Sequence, residues 1–270
     1  MPFLKWAGGK SQLLAELDPL FPRQFDRYLE PFLGGGAVFF HLRARFPEAA
    51  CVLCDNNPEL INCYEAVRDA PDELMERLDQ HAARFEQHPA AYYYSIRGQG
   101  NLAGKMERAA RMIFLNKTCF NGLWRVNGRG EFNVPLGSNR TVKPYDRVNL
   151  WAASRALQGT QLVVQDFQQT LAPARAGDFV YLDPPYHPVS KTAAFTAYTR
   201  EAFGPEQQRR LAELFAAAAQ RGARLLLSNS STRLVLELYA AFEIRSVQAR
   251  RSINAQGNGR GAVTEVVVLG

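Results

Sequence analysis

The fold is decided by one stretch of the chain, Val180-Tyr181-Leu182-Asp183-Pro184-Pro185-Tyr186. Its apolar residues predict a buried strand, and the acid and two prolines that follow predict the end of that strand. Open α/β sheets bind their ligands beyond the carboxyl ends of their strands. We therefore expect Asp183 to lie in a ligand-binding crevice, on a backbone that the prolines restrict.

Similar patterns on both sides of this stretch predict further strands and crossover helices. Short apolar runs predict parallel strands, and the last two apolar stretches suit a closing antiparallel pair. The strands are expected at residues 28–30, 51–54, 161–164, 179–182, 224–227, 243–247 and 264–269, and helices at 37–46, 205–220 and 232–241. This alternation predicts a doubly wound α/β sheet of the Rossmann-like kind.

The middle of the chain has a different pattern. Helices are expected from Pro58, where Asn57 is the cap, from Pro71, and at residues 90–97 and 105–116. The Asn127-Gly128 pair between alternating residues predicts a β-hairpin. We therefore expect two domains, a catalytic domain formed by residues 1–57 and 146–270 and a mainly helical insertion over 58–145.

Composition limits the class of protein. The chain has 270 residues, of which 47% are hydrophobic, and contains neither an apolar stretch long enough to span a membrane nor a signal peptide, so a cytoplasmic protein is expected. Cys51 and Cys54 form a CxxC pair in a strand-like run, but no second pair completes a zinc site. We interpret these cysteines as structural and expect no metal.

Positive charge is concentrated between residues 97 and 147. Residues 97–147 contain ten Lys or Arg and three acids, a net charge of +7, whereas the whole chain carries +6. A local basic block suits a polyanion such as nucleic acid, although a solvated surface is the alternative.

A glycine-rich loop follows the first predicted strand. Gly34-Gly35-Gly36 opens a helix, and Asp55 ends the next strand, where a carboxylate can accept hydrogen bonds from ribose hydroxyls. Phe39 occupies the position at which a dinucleotide fold has its third glycine, which favours a nucleoside without a pyrophosphate, such as S-adenosylmethionine. Asp166 and Phe167 either hold an adenine ring or belong to an ordinary loop.

The stretch around Asp183 also suits one kind of chemistry. An amino group on a nucleic-acid base is a poor nucleophile, because its lone pair is delocalised into the ring. The Asp183 carboxylate and the Pro184 carbonyl could both accept hydrogen bonds from it and favour a pyramidal nitrogen that attacks a sulfonium methyl group. Tyr186 could stack on a base that has been flipped out of the duplex.

These motifs resemble those of the Dam family of adenine-specific (N6) DNA methyltransferases, the D12 class. Phe3-Leu4-Lys5-Trp6-Ala7-Gly8-Gly9-Lys10 is similar to the family's amino-terminal motif, Glu30 to Gly36 to its glycine motif and Asp183 to Tyr186 to its catalytic motif. The resemblance covers nearly the full length. It implies S-adenosyl-L-methionine as cofactor, double-stranded DNA as partner and a Rossmann-like methyltransferase sheet with an inserted target recognition domain. Roles in restriction–modification, in DNA maintenance and in phages all remain open.

The resemblance also implies roles for individual residues. The expected catalytic residues are Asp183, Pro184 and Tyr186. The expected cofactor contacts are Trp6, Ala7, Gly8, Lys10, Glu30, Pro31, Phe32, Gly34, Gly36, Asp55, Asn56, Asp166, Phe167 and Asp183. Without the family, local pattern alone would assign Trp6 to the core and Lys10 to the surface.

The insertion resembles the family's recognition domain between Asn116 and Pro135. The expected DNA contacts are Lys5, Phe120, Asn121, Leu123, Arg125, Asn127, Pro135, Arg140 and Lys143. By resemblance, Phe120 and Asn121 fill the gap left by the flipped adenine, and Arg125 reads a guanine in a GATC target. Arg140 and Lys143 are expected on phosphates.

Three other functions are considered. Methyl transfer to cytosine or to RNA adenine uses the same catalytic motif but is disfavoured by the recognition insertion. A catalytically inactive DNA-binding protein is disfavoured by the intact Asp183, Pro184 and Tyr186. An NAD-dependent oxidoreductase is disfavoured by Phe39.

Overall fold

A seven-stranded sheet forms the centre of the protein in a computed structural model that describes residues 1–100, 102–188, 203–250 and 262–270. The strands are β1 (Arg27–Glu30), β2 (Ala50–Asp55), β3 (Gln161–Val164), β4 (Asp178–Leu182), β5 (Arg224–Ser230), β6 (Glu243–Arg250) and β7 (Ala262–Leu269). Their order is β3-β2-β1-β4-β5-β7-β6, with β1 to β5 parallel and β7 antiparallel between β5 and β6. The predicted doubly wound sheet and its closing antiparallel pair are confirmed.

Helices connect and cover the strands. Within the described residues they are α1 (Leu14–Leu17), α2 (Ala37–Arg45), α3 (Pro58–Asp69), α4 (Pro71–Gln87), α5 (Pro89–Gly98), α6 (Lys105–Thr118), α7 (Arg147–Leu157), α8 (Phe167–Leu171), α9 (Pro205–Gln220) and α10 (Arg233–Leu238). The Asn57 side chain accepts hydrogen bonds from the backbone N–H groups of Glu59 and Leu60, so the predicted cap of α3 is confirmed.

Strand β5 continues to Ser230, beyond the end at residue 227 that its apolar run predicted. Ser228, Asn229 and Ser230 are polar but buried, and they pair with β7. Their side chains have hydrogen-bond partners, including the Tyr181 hydroxyl 3.1 Å from Ser228 Oγ. Buried polar groups that are satisfied in this way can remain in a central strand, which a pattern of hydrophobic residues does not reveal.

The chain reverses its winding direction between β1 and β4, which are adjacent in the sheet but distant in the sequence. Arg27 in β1 donates two hydrogen bonds to the Asp178 carboxylate in β4, at 2.9 and 2.8 Å. All five residues of β4 are buried. Open α/β sheets bind their ligands in a crevice beyond the carboxyl ends of the strands at such a reversal, so the ligand crevice is expected beyond β1 and β4.

Helices α3 to α7 lie in the chain between β2 and β3. Helix α3 packs against β2, β3 and α7, while α6 packs against α3, α4 and α5. Leu53 of β2 and Phe114 of α6 belong to one continuous hydrophobic cluster. The two parts therefore share a hydrophobic core. The division into a catalytic domain and an insertion at residues 57 and 146 stays a prediction.

The predicted hairpin is present, with a turn longer than two residues. Asn127 N–H donates to the Glu131 carbonyl at 2.9 Å, and an isolated antiparallel bridge joins Val126 to Phe132. The left-handed backbone lies at Gly130, with φ of 82°, and not at Gly128 as a two-residue Asn-Gly turn requires. The Asn127 side chain accepts the N–H groups of Arg129 and Glu131, which explains the wider turn.

Candidate active site

Asp183 lies directly after β4 and is paired with Lys10. Lys10 Nζ is 2.7 Å from Asp183 Oδ1 and 2.8 Å from Oδ2, and it also donates to the Gly8 carbonyl at 2.6 Å. Only 5% of the Lys10 side chain and 20% of the Asp183 side chain are exposed. The local expectation of a surface lysine is therefore wrong, because the partner that buries Lys10 lies 173 residues away in the sequence.

The surroundings of Asp183 have two opposing effects on its pKa. Burial raises the pKa of Asp183 above its ordinary value, and the Lys10 ammonium counteracts this by stabilising the carboxylate. Each carboxylate oxygen has two lone pairs, so an oxygen that accepts from Lys10 can still accept from a second donor. The site thus holds a hydrogen-bond acceptor that is shielded from water and backed by a fixed positive charge.

Tyr186 completes this part of the site. Its ring lies beneath Lys10, with Nζ 4.7 Å from the ring centroid, and its hydroxyl donates to Glu265 Oε2 at 2.7 Å. Glu265, in β7, was not predicted from the sequence. The available signal was an acid within a run of valines, since a charged residue in a strand between two others needs a partner.

The glycine loop after β1 is packed against Trp6. A Cβ on Gly34 would lie 2.9 Å from Trp6 Cδ1, and the φ angles of Gly34 and Gly36 are 48° and 67°. A Cβ on Gly36 would lie 2.7 Å from the Tyr64 hydroxyl, so both positions require glycine, for close approach and for the left-handed backbone. Tyr64 fixes the loop from α3, where its hydroxyl donates to the Gly34 carbonyl at 3.0 Å.

Asp55 faces the same loop from the end of β2. Its carboxylate accepts the N–H groups of Gly34 at 3.1 Å and Asn57 at 3.0 Å. Burial raises the pKa of Asp55 to about 6, and hydrogen bonds from backbone N–H groups, including that of Asn56, oppose the rise. A carboxylate with these properties can accept further hydrogen bonds from a ligand in the crevice.

Two other predicted cofactor residues, Glu30 and Phe167, are buried. Glu30 is 2% exposed and accepts the Tyr28 hydroxyl at 2.8 Å, and burial raises its pKa well above the ordinary value. Phe167 is 3% exposed and stacks on Phe32, with ring centroids 5.5 Å apart. Asp166 caps α8 by accepting the Gln168 N–H. A direct contact with a cofactor stays a prediction for these residues and for Ala7, Gly8 and Pro31.

The predicted recognition residues are tied to the amino-terminal segment through Asn116. The Asn116 side chain exchanges hydrogen bonds with the backbone of Lys5, at 2.9 and 2.7 Å, and donates to the Gly122 carbonyl at 3.0 Å. In the turn that this bond supports, Phe120 is 47% exposed and Asn121 has a left-handed φ of 55°. An exposed aromatic residue on a strained turn is unusual, and it suits contact with a partner.

The remaining recognition residues divide into exposed and internal groups. Arg125, Pro135, Arg140 and Lys143 are exposed, and Arg125 Nε donates to Asn133 Oδ1 at 2.7 Å. Leu123 is half-buried, and the Asn127 side chain is engaged within its own turn. Trp124 is 6% exposed and packs on Phe132 with centroids 4.8 Å apart, so it belongs to the core.

Cysteines and membrane spans add nothing further to the site. Cys51, Cys54, Cys63 and Cys119 are free and buried. Within the described part of the chain, no group of three metal-ligating side chains comes together, and none of the described helices has the length and apolar character that a membrane span needs.

Comparisons with known proteins bear on this geometry. The family described as D12 class N6 adenine-specific DNA methyltransferase matches residues 6–253. The type II methyltransferase M1.LlaDCHI of Lactococcus lactis subsp. cremoris is 40% identical over 274 residues, covering 99% of this chain and 94% of that protein. The type II methyltransferase M.MjaIII of Methanocaldococcus jannaschii is 40% identical over 273 residues, covering 96% and 94%. The DNA adenine methylase of Escherichia coli is 37% identical over 269 residues, covering 99% and 94%.

Proposed function

Because the chain belongs to the D12 class of N6 adenine-specific DNA methyltransferases, we propose that it methylates adenine N6 in double-stranded DNA with S-adenosyl-L-methionine as methyl donor. The observation that carries the proposal is the position of Asp183 and Pro184. They follow β4 at the reversal of the sheet, beside the glycine loop that follows β1. A donor bound over the loop and an amino group held by Asp183 would therefore meet in one crevice.

The residues around the glycine loop fit a nucleoside donor. Gly34 lets the backbone come close to a ligand, and Asp55 offers a carboxylate to the ribose hydroxyls. Trp6 packs against this loop, and Lys10 is paired with Asp183. When bound, S-adenosylmethionine supplies an electrophilic methyl group on a positively charged sulfur. Nearby carboxylates such as Asp183 favour a cation of that kind.

Asp183 and Pro184 prepare the adenine amino group. The carboxylate and the carbonyl accept its two N–H groups, which favours a nitrogen whose lone pair is no longer delocalised into the ring. The nitrogen would gain the methyl carbon as the carbon–sulfur bond of the donor breaks, with its electron pair left on sulfur; the nitrogen must then release a proton, and Asp183 is placed to receive it. Lys10 holds the Asp183 carboxylate in its charged, accepting form until that moment.

Access to the crevice requires that the adenine leave the helix. We propose that the base flips out, stacks on the face of Tyr186 opposite Lys10, and leaves a gap that Phe120 and Asn121 fill. The ring of Tyr186 is suited to this because its hydroxyl is anchored on Glu265. Unstacking costs a few kcal/mol, which the exposed Phe120 would offset by inserting into the duplex.

We propose GATC as the target, with Arg125 as the main reader. Arg125 is exposed, its guanidinium fork matches the two acceptors of guanine in the major groove, and Asn133 holds its Nε. Trp124 lies in the core, so this residue supports the reading loop from behind and does not present itself to DNA.

Sequencing of DNA from cells that express the protein tests the proposal. Single-molecule sequencing should find N6-methyladenine in GATC, and an endonuclease blocked by that modification should fail to cut the plasmid. Methyladenine in another sequence would keep the enzyme class and overturn the target. Methylcytosine would overturn the proposed substrate. Purified enzyme should transfer tritiated methyl groups at the same rate with or without EDTA, since no metal is part of the proposal.

A further inference from the structure

The catalytic segment from Asp183 to His187 is supported on its inner side by two buried amides. Gln208 lies in the first turn of α9, and Asn229 lies near the end of β5. Both are 0% exposed. Neither belongs to the crevice, and neither is needed for the proposed contacts with donor or base.

The two amide side chains form a relay, in which they hydrogen-bond to each other and to the backbone of Pro185 and His187. Gln208 Nε2 donates to the Pro185 carbonyl at 2.9 Å, and Gln208 Oε1 accepts from Asn229 Nδ2 at 3.0 Å. Asn229 Oδ1 accepts the N–H groups of His187 at 3.3 Å and Ser230 at 2.8 Å. The Pro185 carbonyl can only accept and the backbone N–H groups can only donate, so the orientation of both amides is fixed.

His187 is also held by two hydroxyl side chains. Ser230 Oγ donates to the His187 carbonyl at 2.6 Å, and His187 Nδ1 lies 3.1 Å from Thr232 Oγ1. The carbonyl of Pro185 and both backbone polar groups of His187 are thereby held by the end of β5 and the start of α9.

The prolines explain why external support is needed here. Pro184 and Pro185 have no N–H group, so this segment cannot build a hydrogen-bonded turn of its own at these positions. Each buried amide group costs free energy unless it is satisfied. Apolar side chains in their place would pack well but would leave the Pro185 carbonyl unfixed. The ring restraints on φ and the anchored Pro185 carbonyl together limit the directions that the Pro184 carbonyl can take.

We infer that Gln208 and Asn229 are positioning residues for methyl transfer, which aim the Pro184 carbonyl and the Tyr186 ring through the Pro185–His187 backbone. The inference rests on the proposed roles of Asp183, Pro184 and Tyr186. These two residues, at the contact between α9 and β5, affect the rate of the chemical step. They do not affect the binding of donor or DNA.

The test is Gln208→Met in the full chain, measured under single-turnover conditions so that product release does not enter the rate. Loss of the relay should lower the methyl-transfer rate by about 10- to 100-fold, the effect of a small misplacement of reacting groups. The donor dissociation constant and the DNA KM should change less than about threefold, because those contacts lie elsewhere. Gln207→Met makes the same chemical change one residue away in α9 and should retain the wild-type rate.

Rates are expressed per folded molecule, counted by calorimetric titration with the donor. A merely structural role would reduce that count and leave the rate per folded molecule unchanged, which would overturn the inference. If Gln208→Met does not fold, Asn229→Ser is the second test. The serine side chain is small and polar, and the substitution removes the amide oxygen that accepts the His187 N–H. A folded Asn229→Ser protein with a rate within about twofold of wild type would equally overturn the inference, because misplaced reacting groups should lower the rate by more than that.

Asp183→Ala, assayed in parallel, separates this inference from the proposed function. Activity in Asp183→Ala would refute the proposed catalytic role itself. An inactive Asp183→Ala beside a fully active Gln208→Met would leave that role intact and refute only the positioning relay.

Discussion

Replacement of Asp55 by Asn tests the electrostatics of the glycine loop. Burial raises the pKa of Asp55 from 3.8 to about 6. At neutral pH the folded chain therefore holds an ionised carboxylate at a cost of about 3 kcal/mol, at about 1.4 kcal/mol for each pH unit. Because the folded state binds this proton more tightly than the unfolded state, the contribution of Asp55 to the stability of the wild type falls as pH rises from 4 to 6.

Asp55→Asn removes the ionisation and with it this pH dependence. Relative to wild type, the free energy of unfolding of the variant should increase by about 1.5 kcal/mol between pH 5 and pH 7.5. The amide can accept only one of the two N–H groups that Asp55 accepts, from Gly34 and Asn57, and that loss offsets part of the gain at every pH. The difference between the two pH values, and not the absolute stability, is thus the quantity to measure.

Urea titrations of donor-free protein at both pH values supply that difference. Glu48→Gln, which neutralises an exposed acid in a turn, is the matched control and should show no such trend. In calorimetry at pH 7.5, Asp55→Asn should bind the donor more weakly by roughly 1–3 kcal/mol, the range for a lost charged hydrogen bond. A stability difference that stays constant or reverses with pH would refute the electrostatic reasoning, and unchanged donor affinity would refute the ribose assignment.

Three further changes probe other parts of the site. In Lys10→Met the charge that lowers the pKa of Asp183 is lost, so the acidic limb of the pH–rate profile should move to higher pH; an unmoved limb would contradict the pairing. Gly36→Ala should lose about 1–2 kcal/mol of stability in urea titrations from its left-handed backbone. It should lose more from a Cβ only 2.7 Å from the Tyr64 hydroxyl; in a Tyr64→Phe background, which has already lost the hydrogen bond to the Gly34 carbonyl, Gly36→Ala should cost only the first part. Arg125→Ala should lose about 1–3 kcal/mol of discrimination at one guanine in competition binding, whereas Lys143→Ala should weaken all sequences alike and reduce the salt dependence. Equal effects of the two on cognate and random DNA would contradict the division of roles.

The sheet could be predicted from the sequence because its signals are local. Strand β3 and helix α9 have the predicted bounds, since an apolar run or a proline-initiated amphipathic stretch defines each of them within a few neighbouring residues. The cap at Asn57 is equally local. Asp183 at the end of β4 follows from the same kind of pattern.

The parts that could not be predicted depend on contacts between distant residues. Lys10 is paired with a residue 173 positions away, and no pattern near Lys10 indicates that it is buried. The same holds for Glu265, which accepts the Tyr186 hydroxyl, and for the hydrogen bond between Gln208 and Asn229. Tertiary structure places these polar groups, and only side-chain geometry distinguishes them from ordinary surface residues.

The pairing of β1 with β4 has a consequence for how the protein acquires its activity. The two strands are joined by an ion pair between Arg27 and Asp178, residues 151 positions apart, and the crevice lies at their common edge. The chain must lose the entropy of closing this long segment before the strand pairing stabilises it. Structures dominated by such distant pairings fold slowly. No fragment shorter than the stretch from β1 to β4 can contain the crevice. A nascent chain consequently contains helices α3 to α6 while it is still inactive, and methylation begins only after β1 and β4 have paired.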